Sequence, residues 1–267
     1  VSATPWAAEA WLARRAAADA AALLLAERSA DDLRAKGPRD LVTSVDEAAE
    51  RLIVQRIRTA FPDDAIVAEE GGESGEDAAR RWIIDPIDGT TNFVHGHPFA
   101  CVSIAFADAK GPAVGFIHAP FLREVYHAVR GEGAFLNDRP IRVSGVREPG
   151  RALLATGFPF KKGKGNPEAY LRILADALQE THGVRRAGSA ALDLAYVAAG
   201  RVDGFWETGL APWDVAAGML LVAEAGGRVG GWPGDEPPPL ASGRVLASNG
   251  ALHGWMEELV GRHAAEL

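Results

Sequence analysis

The segment Trp82-Ile83-Ile84-Asp85-Pro86-Ile87-Asp88-Gly89-Thr90-Thr91-Asn92-Phe93 places two carboxylates directly after an apolar run. A strand that stops at acids is a common way to present ligands, and Pro86 ends regular strand pairing between them. Carboxylates and backbone carbonyls are the ligands that hard divalent cations such as magnesium take. Gly89-Thr90-Thr91 adds unencumbered backbone N–H groups, and a helical turn starting there would aim them at a phosphate. Asp, Pro, Gly and Thr together also make an ordinary turn, so the motif gains its weight from its company.

That company comprises two further acidic positions. Glu69-Glu70 lies just after Ile66-Val67-Ala68, with Glu69 sixteen residues before Asp85. Adjacent acids at the end of an apolar strand are costly unless they are solvated or bound to a cation. Far downstream, Pro212-Trp213-Asp214-Val215-Ala216-Ala217-Gly218 sets an acid at the start of an apolar helix. Helix capping alone would satisfy Asp214, so its link to the other acids is not fixed by its own neighbourhood.

The elements that must position these residues follow from local pattern. Residues 5–29 are rich in Ala, Leu, Glu and Arg and read as an opening helix after Thr4-Pro5. Lys36-Gly37-Pro38 reads as a loop. A helix over 44–60 follows, with Ser44 and Glu47 at capping-box spacing and Phe61-Pro62 at its end. Strands are predicted at 65–68, 81–84, 101–107, 113–118 and 124–129, with 71–80 as an exposed polar loop. After a strand at 152–156, helix and strand alternate: helices near 167–181, 189–199, 213–225 and 251–265, strands near 184–187, 203–207 and 244–248. Such alternation favours layered sheets covered by helices. The stretch 230–243, with Pro237-Pro238-Pro239, reads as an exposed loop.

Bulk properties narrow the function classes. A chain of 267 residues with 48% hydrophobic and 24% charged residues can bury a large core without a structural metal. We expect a single domain over 1–267, with an N-terminal α+β half to about 150 and a C-terminal α/β half from 151. The net charge of −8 argues against direct nucleic-acid binding, which needs clustered Lys and Arg. It leaves anionic substrates open, because bound divalent cations reverse the local field. The lone Cys101 sits in an apolar strand and reads as a small hydrophobe. The Ala-rich stretch 16–26 is interrupted by Asp19 and flanked by charges, which suits an amphipathic helix better than a signal peptide or membrane span. The expected location is cytoplasmic.

Other motifs are weaker. Gly157-Phe158-Pro159-Phe160-Lys161-Lys162-Gly163-Lys164-Gly165 lacks P-loop spacing and reads as a solvated basic loop. Gly131-Glu132-Gly133 fits a hairpin. His95, His97, His118 and His127 show no zinc-ligand spacing and read as structural or solvated.

The ordered motifs resemble the inositol monophosphatase family, and in particular its bacterial members of the SuhB type. The resemblance runs through Asp40-Leu41-Val42-Thr43-Ser44-Val45-Asp46, Glu69-Glu70, and Asp85 to Phe93 with His95-Gly96-His97-Pro98-Phe99. It continues through Gly188-Ser189-Ala190-Ala191-Leu192-Asp193, Gly204-Phe205-Trp206-Glu207-Thr208-Gly209 and Trp213-Asp214. It implies a five-layer α-β-α-β-α sandwich of the inositol monophosphatase and fructose bisphosphatase type. It also implies a magnesium-dependent phosphomonoesterase with two Mg2+ ions, and a third weaker site near Glu69. Glu69, Asp85 and the Ile87 carbonyl would hold one ion; Asp85, Asp88 and Asp214 would hold the other. Thr90, with Asp46 behind it, would orient and deprotonate a metal-bound water. Gly89 and Thr90 would contact the phosphate. Gly188, Ser189, Ala190 and Glu207, together with Asp88 and Asp214, would line the polyol side, and Lys36 would sit on a mobile loop near the metals.

The resemblance further implies lithium sensitivity and a homodimer. Within the family, fructose bisphosphate, histidinol phosphate and phosphoadenosine nucleotides are alternative substrates. The carboxylate of Glu207 suits polyol hydroxyls and would repel a second phosphate. A role as a protein partner in transcription and ribosomal RNA maturation, with incidental phosphatase activity, is the reading from a different class. A phosphatase with Asp85 as covalent nucleophile is a third.

Overall fold

The computed structural model describes residues 5–27, 33–37, 40–75, 77–158, 166–235, 238–264 and 266, with backbone alone at 33–37, 40–42 and 77–78. Helices α1 (Ala7–Ala26) and α2 (Ser44–Ala60) are joined through a hairpin of β1 (Leu33–Gly37) and β2 (Asp40–Thr43). The large sheet follows, built from β3 (Asp64–Ala68), β4 (Gly72–Ser74), β5 (Asp77–Asp88), β6 (Cys101–Asp108), β7 (Gly111–Ala119), β8 (Glu124–Val129), β9 (Ala134–Leu136) and β10 (Arg139–Ile141). A short helix α3 (Thr90–Val94) interrupts it. The second half contains β11 (Leu153–Thr156), α4 (Pro167–Glu180), β12 (Gly183–Arg185), α5 (Ala190–Ala198) and β13 (Gly204–Thr208). It ends with α6 (Pro212–Glu224), β14 (Arg228–Gly230), α7 (Pro239–Ser242), β15 (Arg244–Ser248) and α8 (His253–Ala264).

The strand order is β10-β9-β8-β7-β6-β5-β3-β4 in the eight-stranded sheet and β12-β11-β13-β15-β14 in the five-stranded one. The layers follow from side-chain alternation, since successive residues of a strand point to opposite faces. In β5 and β6, Trp82, Ile84, Ile104 and Phe106 pack outward against Leu12, Leu24, Ile53 and Ile57 of α1 and α2. Their neighbours Ile83, Cys101 and Ala105 pack inward with Leu192, Leu194, Val215 and Leu221 of α5 and α6. In the smaller sheet, Phe205, Val245 and Ala247 face that same inner layer. Leu154, Trp206 and Leu246 face Tyr170, Ile173, Met256 and Leu259 of α4 and α8. The result is the α-β-α-β-α sandwich, with both sheets buried on both faces and their central strands therefore almost continuously apolar.

Small residues let the middle layer come close. A Cβ on Gly115 would lie 2.9 Å from the Ala217 carbonyl oxygen, so α6 rests on the backbone of β7. On the other side of α6, a Cβ on Gly218 would fall 2.5 Å from that of Leu194 on α5.

Several local expectations need correction. The cap of α2 is Thr43 with Asp46, one residue earlier than Ser44 with Glu47. Thr43 is extended and accepts from the Val45 and Asp46 N–H groups, so Ser44 is already helical. The 71–80 stretch is not one loop: Gly72–Ser74 pairs along β3 as an exposed edge strand, and β5 begins at Asp77. Lys36 and Gly37 belong to β1 rather than to a loop, and the Lys36 side chain lies outside what is described. Pro86 does not end β5; the strand bulges between Asp85 and Asp88, and Asp88 pairs again with Cys101. The 230–243 stretch contains α7. Strands β9 and β10 turn through Asn137 (φ 48°) and Asp138 (φ 61°), the two-residue left-handed pair of a tight hairpin. Of the basic 157–165 loop, residues 159–165 lie outside the described residues. No helix among the described residues is long and apolar enough to cross a membrane.

Candidate active site

The bulge in β5 gathers the acids. Between Asp85 and Asp88 the strand leaves register with β6, and the Ile87 N–H donates to Asp85 Oδ1 at 2.9 Å, holding that carboxylate beside its own chain. Gly89 then turns the chain at φ 93° into α3. A Cβ there would lie 2.9 Å from the Phe99 carbonyl oxygen, so the turn requires glycine for both conformation and space.

Asp214 comes from the first turn of α6. Its Oδ2 accepts the Ala211 N–H at 2.6 Å, so the capping role read from sequence is real. That bond does not exhaust the carboxylate. One oxygen each of Asp85, Asp88 and Asp214 lie within 4.8 Å of one another. Glu69, directly after β3, has its N–H on the Ile84 carbonyl at 3.3 Å and its carboxyl in hydrogen-bond contact with Asp85. The four acids at 69, 85, 88 and 214 therefore converge.

Their environment shows the cost of that convergence. Asp85 is 1% exposed, and burial pushes its carboxyl well above the usual range, with the charges of Glu69, Asp88 and Asp214 adding to the rise. Burial raises Asp88 to about 6 against the lowering effect of its donors. Those donors include the Ser189 hydroxyl at 2.6 Å and the Ala191 N–H at 2.7 Å, both on Oδ2, and the Ala190 N–H. A cluster of oxygen ligands kept from water, with like charges added at Asp85, is the donor set a hard divalent cation fits. Asp85, Asp88, Asp214 and Glu69 are the side chains that could hold it.

Thr90 connects this centre to Asp46. Its Oγ1 lies 3.0 Å from the Ile87 carbonyl oxygen and 3.2 Å from Asp46 Oδ1. Asp46 is fully buried, and burial raises its pKa while Thr43 and Thr90 pull it back. Its other oxygen is held by the Thr43 N–H at 2.9 Å and hydroxyl at 2.5 Å.

The far wall is the turn from β12 into α5. Gly188 adopts φ 93°, and Ser189 caps α5 through the Leu192 N–H while donating to Asp88. Ala190 is buried in the first turn of α5. Glu207, 8% exposed on β13, is raised well above its ordinary range by burial and then by Asp193 and Asp214. Its carboxylate lies over Gly157, where a Cβ would come within 1.9 Å of it. Asp193, 3% exposed, is raised by burial and by Asp88.

The sequence assigned no role to two residues that tie the site together. Asn92 Nδ2 donates to the Phe99 carbonyl at 2.7 Å and to the Ala187 carbonyl at 2.8 Å, joining α3 to the wall 95 positions away. Thr43 holds Asp46. The Thr43–Asp46 spacing was a readable capping box; nothing local in the sequence signals the reach of Asn92. The remaining candidates supply no ligand, although Cys101 borders the centre with its Sγ 3.6 Å from the Ser189 hydroxyl. His95 and His97 are exposed, and His127 stacks between Phe116 and Phe135 at 5.2 and 5.1 Å. Cys101 is buried, and burial pushes its thiol up.

Comparison with known proteins finds relatives over most of the chain. A model described as the inositol monophosphatase family matches residues 6–265. A Pseudomonas aeruginosa protein named Nus factor SuhB is 49% identical over 218 residues, 80% of each chain. An inositol-1-monophosphatase of Rhizobium meliloti is 46% identical over 232 residues, 85% of each. The crystal structure of the extragenic suppressor protein suhB from Bartonella henselae superposes with a TM-score of 0.88 at 41% identity, covering 93% of this chain and 96% of that one.

Proposed function

Because the chain belongs to the inositol monophosphatase family, a family of phosphatases, we propose that it hydrolyses inositol monophosphate or a similar polyol phosphate with Mg2+ held by Glu69, Asp85, Asp88, Asp214 and the Ile87 carbonyl. The observation that carries this is the meeting of Asp85, Asp88 and Asp214 from two separate elements, beside the Thr90–Asp46 pair.

Two magnesium ions there would neutralise phosphate charge, lower the pKa of a water near them and stabilise the leaving alkoxide, with a third ion near Glu69. The chain's own groups do the rest. Thr90 Oγ1 stands where it can accept a proton from an attacking water while passing its own to Asp46 Oδ1. The raised pKa of Asp46 suits it to receive that proton. The Gly89 and Thr90 N–H groups are assigned to the phosphate. Gly188, Ser189, Ala190 and Glu207 are assigned to the polyol, with Glu207 accepting from its hydroxyls. Asp85 already accepts the Ile87 N–H and sits among like charges, which supports a ligand role over a covalent nucleophile.

The shared helical layer between the sheets supports reading 1–267 as one domain. Cytoplasmic location, a homodimer, lithium sensitivity and Lys36 near the metals belong to the same proposal. Steady-state assays on a panel of polyol and sugar phosphates test it. Preference for inositol monophosphate is the expected result, and preference for a bisphosphate would remove the polyol reading.

The relatives named Nus factor SuhB favour a second reading, a protein partner in transcription. Complementation of a deletion strain by the Asp88→Asn variant separates the two. Full rescue by that inactive protein would support the partner role.

A further inference from the structure

The five-stranded sheet points to a recognition residue outside the set already assigned. Strands β12, β11 and β13 are mutually parallel, with Ala155 paired to both Arg185 and Phe205 and Thr156 to Trp206. Their C-terminal ends therefore lie along one edge, the side of a parallel sheet where ligands bind. The residues at that edge are Arg186 after β12, Gly157 and Phe158 after β11, and Glu207 near the end of β13.

Arg186 is held over this edge in a defined way. Its guanidinium folds back on its own chain, so a Cβ on Gly188 would lie 2.7 Å from Nη1. Its Cζ stands 5.6 Å from the centre of the Phe158 ring, a cation–π placement. It is exposed, and among the described residues it makes no ion pair. The guanidinium nonetheless acts electrostatically on Glu207 and Asp193 from across the wall. The crevice thus has an acceptor on its floor, Glu207, and an aromatic-backed fork of N–H donors at its rim. Beside the guanidinium runs Gly188, the turn that leads to Ser189 and through its hydroxyl to Asp88.

We propose that Arg186 is a specificity-determining residue that donates hydrogen bonds to hydroxyl oxygens of the substrate on the side away from the reacting phosphate, opposite Glu207. This rests on the polyol reading above. A ligand gripped by an acceptor and a donor together offers hydroxyl groups, which both donate and accept, and this selects polyol esters over phosphate esters lacking them.

The test is steady-state kinetics of the Mg2+-loaded wild type, Arg186→Gln and Arg186→Lys on inositol 1-phosphate and on p-nitrophenyl phosphate, which has no hydroxyls. In Arg186→Gln the KM for inositol 1-phosphate should rise about tenfold, equivalent to about 1.4 kcal/mol, with kcat changing far less. The ratio of kcat/KM between the two substrates should fall by the same factor, and Arg186→Lys should restore part of it. Equal losses on both substrates, or a ratio within about twofold of wild type, would overturn the role of Arg186 and leave the polyol reading standing. A wild type with no preference for the polyol ester would instead remove the polyol reading, and with it this assignment.

Discussion

The Oδ1 atom of Asp46 lies 3.2 Å from the hydroxyl of Thr90, although the two residues are 44 positions apart. The contact exists because Thr43 immobilises the opposite oxygen of the same carboxylate, leaving Oδ1 directed at α3. One carboxylate thus caps α2 with one oxygen and faces Thr90 with the other, the oxygen to which the proposed mechanism sends a proton.

Separating those two duties gives a first prediction. Asp46→Asn keeps an oxygen for capping but loses the basic carboxylate, so kcat should fall by about 10²–10⁴. Thr43→Ala removes the cap and should cost about 1 kcal/mol of stability, with a smaller fall in kcat. Urea unfolding and initial rates on the same preparations distinguish these outcomes.

Metal dependence is expected from the burial of Asp85 among like charges. Chelation should abolish turnover. The Asp85→Asn variant should melt higher than wild type when both are metal-free, since it removes a buried charge facing Glu69, Asp88 and Asp214. The order should reverse when Mg2+ is added. A wild type whose melting temperature ignores Mg2+ would contradict the ligand assignment.

The pH dependence has a definite sign. Asp88 is raised to about 6 in the folded protein from an ordinary 3.8, so the folded state binds its proton more tightly than the unfolded chain. Its favourable contribution to the metal-free protein is present below pH 3.8 and lost as pH rises through about 6. Asp85 shifts in the same direction. Thermal melts of the metal-free protein should therefore show declining stability across that window. The stabilisation given by Mg2+ should grow over the same range.

Asn92 provides a structural test of the wall. Asn92→Ala would strand the Phe99 and Ala187 carbonyls, each of which accepts from Nδ2. The expected loss is about 1–3 kcal/mol, with a higher KM because the 187–189 turn is released. Denaturant titration and KM measured together check this.

Gly157→Ala should act on Glu207 directly. Its Cβ would overlap the carboxylate, which must move. A raised KM for inositol monophosphate is expected, with little change in Mg2+ dependence, because Gly157 faces Glu207 rather than the acids at 85, 88 and 214.

Much of this protein is written locally. Near-continuous apolar runs in 101–107 and 113–118 mark strands buried on both faces, and the helices α2, α4, α5, α6 and α8 carry composition and capping signals near their ends. What was misread is equally physical. The β4 strand is wholly exposed at a sheet edge, so its polar residues give no burial signal. The Pro86 bulge looks like a strand end because proline withholds one ladder bond, yet pairing resumes at Asp88.

The sequence by itself determined the elements, the family and the supply of oxygen donors at Glu69, Asp85, Asp88 and Asp214, because side-chain type and short-range periodicity act along the chain. Only the tertiary structure decided that these donors meet, that Asn92 reaches Ala187, and that Arg186 and Glu207 share one edge. Those relationships come from strand order and from helices packed between two sheets. Contacts made across some hundred residues leave no pattern in the segments that make them.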